Sequence, residues 1–254
     1  MIRPLFKTQK EAKNLGVDEE KLKYCMLFTD KSKAIIKIEY PQLHEYIIAA
    51  ETLNVHNRPT CKSRISKSLN RDWFNLKLSD KTIISDFIFP SKIGEYYRLI
   101  DNRQSQVLID KVSYYIDTNS EEEIYQNILF LLLNSTLFRL MIELFSRQLT
   151  GAQTLSDVDV YVVKKAWLPN PNLFKVYWKT LKPIYQSLKS REQLSIFEEV
   201  RQVDRQTLDK LIFKTIGLPE TSVDELYQAM THFVELRNQK SASLKTVKKS
   251  VMKR

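Results

Sequence analysis

Hydrophobic positions recur at different spacings along the chain, and these spacings predict its elements. KYCMLFTD, from Lys23 to Asp30, is a short apolar run that ends in a turn, and it predicts a strand. From Lys33 to Leu53 isoleucine and leucine recur at roughly helical spacing, and Pro41 predicts a break. Residues 1–20 are polar and basic, and we interpret them as an arm or a leading helix.

Between residues 54 and 118 the sequence is rich in β-branched and aromatic side chains. TIISDFIFP, YYRLID and QVLIDKVSYYI are typical of short strands, and the turn-like sequences PSKIGE and DNRQS separate them. This region is therefore predicted to form a small, mostly antiparallel sheet.

Helices are predicted for most of the remaining chain. DTNSEEE predicts a helix start capped by Asn119 or Ser120, followed by helix to about Arg147. VDVYVVKKAWLP is interpreted as an apolar strand with a basic end. From Leu173 onward the three-and-four spacing predicts helices, Gly217 is a helix stop, and the basic tail SASLKTVKKSVMKR is expected to fray.

These elements predict a mixed α/β (α+β) fold. It consists of a helical N-terminal arm, a small and mostly antiparallel sheet core, and a helical C-terminal region. Changes in composition and in hydrophobic spacing along the chain predict three parts, residues 1–53, 54–172 and 173–254.

The most apolar run, ILFLLLNSTLFRLMIELF, is interrupted by Asn134, Arg139 and Glu143. It predicts a buried amphipathic helix pair, because a membrane span needs about 20 apolar residues. Asn134 is expected to be buried and to cap a neighbouring loop. The N-terminus has no apolar signal core, and Cys25 and Cys61 lie in unlike contexts, so we expect a reduced, cytoplasmic protein without a membrane partner.

The formal net charge of +10 attracts polyanions, of which nucleic acid is favoured over an anionic membrane surface. The strongest local concentration of positive charge is NRPTCKSRISKSLNRDWFNL, from Asn57 to Leu76, which ends in two aromatic residues. Arginine forks suit a guanine edge or a phosphate, and lysines suit the DNA backbone. The alternative is a solvated loop that Trp73 anchors to the core.

Motifs for catalysis are mostly absent from the sequence. Four glycines leave no room for a phosphate-binding glycine-rich loop, and the three histidines have no metal-ligand spacing. SDVDVYVVKK offers the carboxylates of Asp157 and Asp159 with Lys164 and Lys165, but it lacks the acidic–x–Lys pair of a metal-dependent nuclease. No catalytic, cofactor-binding or metal-ligating residue is therefore predicted in this chain.

Several motifs in order resemble the target recognition region of adenine-specific amino-DNA methyltransferases, a family that includes fused type II restriction–modification enzymes. Arg58-Pro59-Thr60-Cys61-Lys62-Ser63-Arg64 is similar to the motif at which that region begins. LLNSTLFRLMIELF and the sequence up to KKAWLPNP resemble the next landmark, and DRQTLDKLIFKTIGLPE resembles the helical tail. The resemblance extends from about Tyr24 to Arg237.

The catalytic half of this family carries a glycine-containing loop for S-adenosylmethionine and an Asn/Asp-Pro-Pro-Tyr/Phe motif for the flipped adenine. Neither motif is found here, and Asn170-Pro171-Asn172 is not the second one. The resemblance therefore implies a split subunit, a truncated remnant or a recognition module that works for another enzyme, without a cofactor of its own. S-adenosylmethionine is expected in a partner subunit, to which residues 1–53 would link the recognition domain 54–172.

The expected function is sequence-specific binding of double-stranded DNA, with a catalytic methyltransferase subunit as second partner. The alternatives are a restriction endonuclease that uses the same module and cuts DNA itself, and a general structural or RNA-binding protein with a basic surface. The predicted DNA-binding residues, in the basic loop and on the predicted sheet, are Arg58, Lys62, Ser63, Arg64, Lys67, Arg71, Trp73, Lys92, Arg98, Arg103 and Lys111.

Overall fold

Contacts along the chain divide it into two units, residues 1–5 with 23–83 and residues 6–22 with 84–254. A computed structural model describes residues 2–27, 29–55, 58–59, 73–74, 84–110, 112–149 and 154–251. Side chains are described as far as residue 244, except those of residues 55, 58 and 59. The boundaries predicted at residues 53 and 172 separate functional parts, and they stay a prediction.

Short strands and a helix pair make up the described part of the first unit. In chain order these are β1 (Ile2–Phe6, whose last residue belongs to the second unit), β2 (Tyr24–Leu27), α1 (Lys33–Glu39), α2 (Pro41–Thr52), β3 (Asn54–Val55) and β4 (Arg58–Pro59). β1 pairs antiparallel with β2, and β3 with β4.

The helix pair of the first unit forms around Pro41. Ser32 caps α1 by accepting a hydrogen bond from the Ile35 N–H, and Pro41 occupies the first turn of α2, where its missing N–H is harmless. Ile36 and Ile47 are fully buried together with Phe74. The predicted strand at Lys23–Asp30, and the helical region with its break at Pro41, are confirmed.

The second unit holds the larger core. Its elements after Phe6 are β5 (Phe87–Pro90), β6 (Lys92–Ile93), β7 (Ile100–Asp101), β8 (Leu108–Ile109), β9 (Ser113–Ile116), α3 (Glu123–Leu133), α4 (Thr136–Phe145), β10 (Arg147–Gln148), β11 (Ser156–Asp157), α5 (Val160–Lys165), α6 (Trp178–Ser190), α7 (Ile196–Glu199), α8 (Val203–Thr215) and α9 (Ser222–Val251), with 3₁₀ turns at Gln9–Glu11, Glu19–Lys21 and Pro171–Tyr177.

β5 is the central strand of one sheet, with β7 and β9 antiparallel on either side. Successive side chains of a strand point to opposite faces, and both faces of β5 are buried. Phe87 and Phe89 pack into the main helical core, whereas Ile88 packs into a second cluster that contains Phe6 and Ile109. A second sheet has the order β10–β11–β6.

The apolar run predicted as a helix pair forms α3 and α4, which bend by 56° at Asn134–Ser135. The Asn134 side chain donates to the carbonyl of Leu99 and accepts from its N–H, and Ser135 caps α4. The predicted role of Asn134 as a buried cap for a neighbouring loop is confirmed. No single helix in the described residues is long and apolar enough to cross a membrane, and only this bent pair passes such a test together.

The mixed α/β class is confirmed, but four local predictions are wrong. Residues 1–20 form β1 and two 3₁₀ turns instead of a helical arm, because Phe6, Ala12 and Leu15 are buried. VYVVKK is the helix α5, and α9 continues through the tail to Val251. α3 begins after Glu122, and Asn119 lies in a left-handed turn with φ 50°, where it cannot cap.

Gly217 follows the last residues of α8 and stops this helix, as the sequence predicted. Its φ of 80° lies in the left-handed region that favours glycine. The Leu218 N–H then donates to the Phe213 carbonyl, which satisfies an acceptor of the last helical turn.

Candidate nucleic-acid interface

A cavity of about 560 Å³ in the second unit brings two predicted DNA-binding residues together. Its lining includes three cationic side chains, Lys10, Lys92 and Arg98, against one carboxylate, Glu95. Tyr96 also lines it and is 49% exposed. This site, called the basic cavity below, combines the charge that attracts phosphates with an aromatic ring available to a base.

Lys92 reaches the basic cavity from β6. Strand pairing sets it opposite Asp157 of β11, and its ammonium lies 3.4 Å from that carboxylate. Arg147 of β10 pairs with the same carboxylate at 3.0 Å, and its side chain is 71% exposed. Hydrogen bonds from Arg147, and then from Lys92, lower the pKa of Asp157. Two cations thus share one carboxylate at this edge, which leaves excess positive charge.

Arg98 lies on the opposite side of the basic cavity, between the chain at Gln9 and the ring of Tyr96. One Nη donates to the Gln9 carbonyl at 3.2 Å, and the guanidinium carbon is 5.1 Å from the centre of the Tyr96 ring. Burial lowers the pKa of Arg98, whereas the neighbouring Tyr96 raises it. Arg98 is therefore a half-buried cation fixed at one end only.

Buried arginines hold the bend that follows β6. The Gly94 carbonyl accepts from Arg139 at 2.7 Å and from Arg237 at 3.3 Å. Arg237 also pairs with Glu143 at 2.6 Å, and both side chains are only 3% exposed. The Arg139 guanidinium donates to the carbonyls of Gly94 and Glu95 inside the protein.

Gly94 itself is packed tightly, since a Cβ there would lie 2.8 Å from the end of the Leu155 side chain. Gly94 thus leaves room for the Leu155 side chain, and both residues line the basic cavity.

Arg103 lies outside the basic cavity, in a polar cluster centred on Asp101. It binds Asp101 at 2.7 Å and Asn127 at 2.8 Å, while Lys189 and Tyr185 reach the same carboxylate at 2.9 and 3.1 Å. Burial alone would raise the pKa of Asp101, but hydrogen bonds and charges from Arg103 and Lys189 outweigh it and lower the pKa to about 2. The charge of Arg103 is thus compensated within the fold.

Trp73 and Phe74 are the residues of the basic loop whose side chains the structure describes. Trp73 is the one predicted to bind DNA. The Trp73 indole N–H donates to Glu51 at 3.2 Å, and the Trp73 ring packs edge-on against Phe74, which is buried in the first unit. This placement agrees with the anchoring interpretation. The backbone of Arg58 lies in β4, but its side chain, like Lys62, Ser63, Arg64, Lys67, Arg71 and Lys111, lies outside the described residues.

The two carboxylates considered for a nuclease do not lie on one strand. Asp157 is paired with Lys92 and Arg147, and Asp159 precedes the helix α5, which carries Lys164 and Lys165. The strand predicted there is wrong. Within the part of the chain that the structure describes, no group of three His, Cys, Asp or Glu side chains is placed to hold a metal ion.

No protein-family model matches the chain, and no curated protein sequence matches it. The functional assignment therefore rests on the residues and their geometry.

The sequence analysis predicted Lys92 and Arg98 as DNA-binding residues, and the structure places Lys10, Gln9 and Tyr96, which it did not single out, in the lining of the same cavity. Lys10 and Gln9 belong to the N-terminal segment, which was interpreted as an arm. Tyr96 lies in the predicted strand YYRLID, yet it precedes β7 and is half exposed. The one available signal was the capping box Thr8–x–x–Glu11, which marks a turn and fixes this segment locally.

Proposed function

We propose that this protein binds double-stranded DNA sequence-specifically, as the target recognition part of an adenine DNA methyltransferase or restriction–modification system. A separate catalytic subunit would supply S-adenosylmethionine and methyl transfer, and both would act in the cytoplasm. The single observation that carries the proposal is the grouping of Lys92, Arg98 and Tyr96 with Lys10 around one cavity.

Charge supports this proposal at two scales. The chain carries a net charge of +10, and the described lining of the basic cavity has three cations for one carboxylate. Phosphate contacts from lysine and arginine position a protein on a duplex, and contacts to base edges then select the sequence. The order of motifs from Arg58 to the helical tail supports recognition within a methylation system.

The proposed roles differ between the basic loop and the basic cavity. The basic loop that begins near Arg58 would enter a groove, and its arginines would read bases or grip phosphates. Lys92 and Lys10 would contact the backbone, while Arg98 and Tyr96 would lie closest to the bases. The catalytic partner would then flip and methylate the adenine, since extrusion of the base is required for that chemistry.

Selection from a randomised duplex library, followed by affinity measurements at about 150 mM salt, tests the proposal. We expect a preferred duplex to bind at least about 1,000-fold more tightly than a scrambled one, a ratio typical of specific binding. Equal affinity for any duplex or RNA would contradict it. Cleavage of plasmid DNA by the purified chain with a divalent metal would instead favour the endonuclease alternative.

A further inference from the structure

Gln9 carries an unpaired amide at the basic cavity. Neither its Nε2 nor its Oε1 has a hydrogen-bond partner among the residues that the structure describes, and both atoms are shielded from solvent. Nε of Arg98 is likewise buried and unpaired, and the same Arg98 binds the Gln9 carbonyl. Leaving a buried donor and a buried acceptor unsatisfied is unfavourable, so a ligand that pairs with them gains more than the bonds it forms.

Local hydrogen bonds hold the backbone around Gln9, whereas none among the described residues holds its side-chain amide. The Glu11 carboxylate accepts from the N–H groups of Lys7 and Thr8 at 2.7 and 3.1 Å, and the Thr8 hydroxyl accepts from the Lys10 N–H at 3.3 Å. This capping box fixes the 3₁₀ turn on either side of Gln9. For the amide to meet a ligand in the basic cavity, which Gln9 lines, the side chain must rotate, and no hydrogen bond among the described residues opposes that rotation.

The chemistry of an amide selects one base edge. It presents one donor beside one acceptor, and adenine offers the matching pair in the major groove, with N7 as acceptor and the N6 amino group as donor. Guanine presents two acceptors there, which an amide cannot satisfy together. The Arg98 guanidinium lies over the ring of Tyr96, and both residues line the basic cavity with Gln9. Together they provide a cation and a planar surface next to that base.

We infer that Gln9 is a specificity-determining residue that reads one adenine of the recognition sequence through its side-chain amide in the basic cavity. The inference rests on the proposed function and adds to it a residue and a base. Lys10 and Lys92 contribute the phosphate contacts that set the register of the duplex. Gln9 acts on sequence preference, and it contributes little to affinity for unrelated DNA.

The test compares the full chain with Gln9→Ala and Gln9→Glu on the duplex selected from the randomised library, and on duplexes with each adenine replaced by 7-deaza-adenine. Removing N7 at the contacted adenine should weaken wild-type binding about 10-fold. The same replacement should leave Gln9→Ala unaffected. Gln9→Glu should shift the preference at that position toward cytosine, whose N4 amino group a carboxylate accepts.

Gln186→Ala is the matched control, since Gln186 is an exposed glutamine on α6 outside the basic cavity. It should keep every preference of the wild type, and thermal melting should show that all variants fold. An unchanged preference in Gln9→Ala at every position, or an equal loss on all duplexes, would overturn the inference while leaving the proposed function intact. A wild-type chain without any sequence preference would overturn both.

Discussion

At the scale of single residues, two arginine–carboxylate pairs of the second unit have opposite surroundings. Arg237 and Glu143 are almost fully buried, whereas Arg147, paired with Asp157, is largely exposed. Arg237→Ala leaves the Glu143 charge buried and unpaired, and we expect it to lower the free energy of unfolding by about 3–5 kcal/mol. Arg147→Ala should lower it by no more than about 1 kcal/mol. Urea denaturation followed by circular dichroism measures both.

The double variant Arg237→Met with Glu143→Leu tests whether the stability lost in Arg237→Ala comes from the unpaired charge of Glu143. Because it removes both buried charges, it should recover most of the stability lost in Arg237→Ala. Equal destabilisation by Arg237→Ala and Arg147→Ala would contradict the buried pair.

Buried polar residues show which contacts can be predicted from the sequence and which cannot. The burial of Asn134 follows from a polar side chain inside an apolar helical run, and its neighbour Ser135 is a natural helix cap. The partners of Arg139 do not follow, because the carbonyls of Gly94 and Glu95 lie more than forty residues away and carbonyls leave no signature in a sequence. The charge of Arg103 was visible, but its compensation by Asp101 and Asn127 depends on packing.

At the scale of elements, Asp101 of β7 joins its sheet to α6 through Lys189 and Tyr185. Its pKa in the folded protein is about 2, lowered from the ordinary value of 3.8. A lowered carboxyl pKa stabilises the fold above the unfolded value, and this stability is lost as the pH falls through the folded value. At neutral pH we therefore expect Asp101→Asn to cost about 2 kcal/mol of unfolding free energy.

The pH dependence distinguishes this ionic contribution from simple packing. The difference in unfolding free energy between wild type and Asp101→Asn should shrink as the pH falls from about 4 to 2, because the wild-type carboxyl becomes protonated in both states. Denaturation at several pH values measures it. A difference that stays constant over this range would mean that Asp101 acts through its shape and not through its charge.

Elements were predicted best where local and long-range preferences agree. The pair α1 and α2 follows from Ser32, Pro41 and helical spacing, and Gly217 marks the end of α8. α5 was predicted as a strand because its valines favour strands. These residues instead form a short helix that buries Val162, and this burial overrides the strand propensity. β1 was missed because its pairing with β2 joins residues far apart in the sequence.

At the scale of the whole molecule, the net charge of +10 and the local charge of the basic cavity make different contributions to DNA binding. Each phosphate contact releases counterions, so the logarithm of the association constant falls with the logarithm of salt concentration by about 0.9 per contact. Lys10→Ala with Lys92→Ala, which removes both proposed phosphate contacts, should therefore reduce this slope by about 2. Fluorescence anisotropy of a labelled duplex at several salt concentrations measures it.

The control must lower the net charge equally without touching the basic cavity. Lys182 of α6 and Lys210 of α8 are both exposed and lie outside its lining, and replacing both by alanine removes the same two charges. Because only cations in contact with phosphates release counterions, this double variant should keep the wild-type slope. An equal reduction in both double variants would mean that DNA is held by the diffuse positive field of the protein. The basic cavity would then not be the interface.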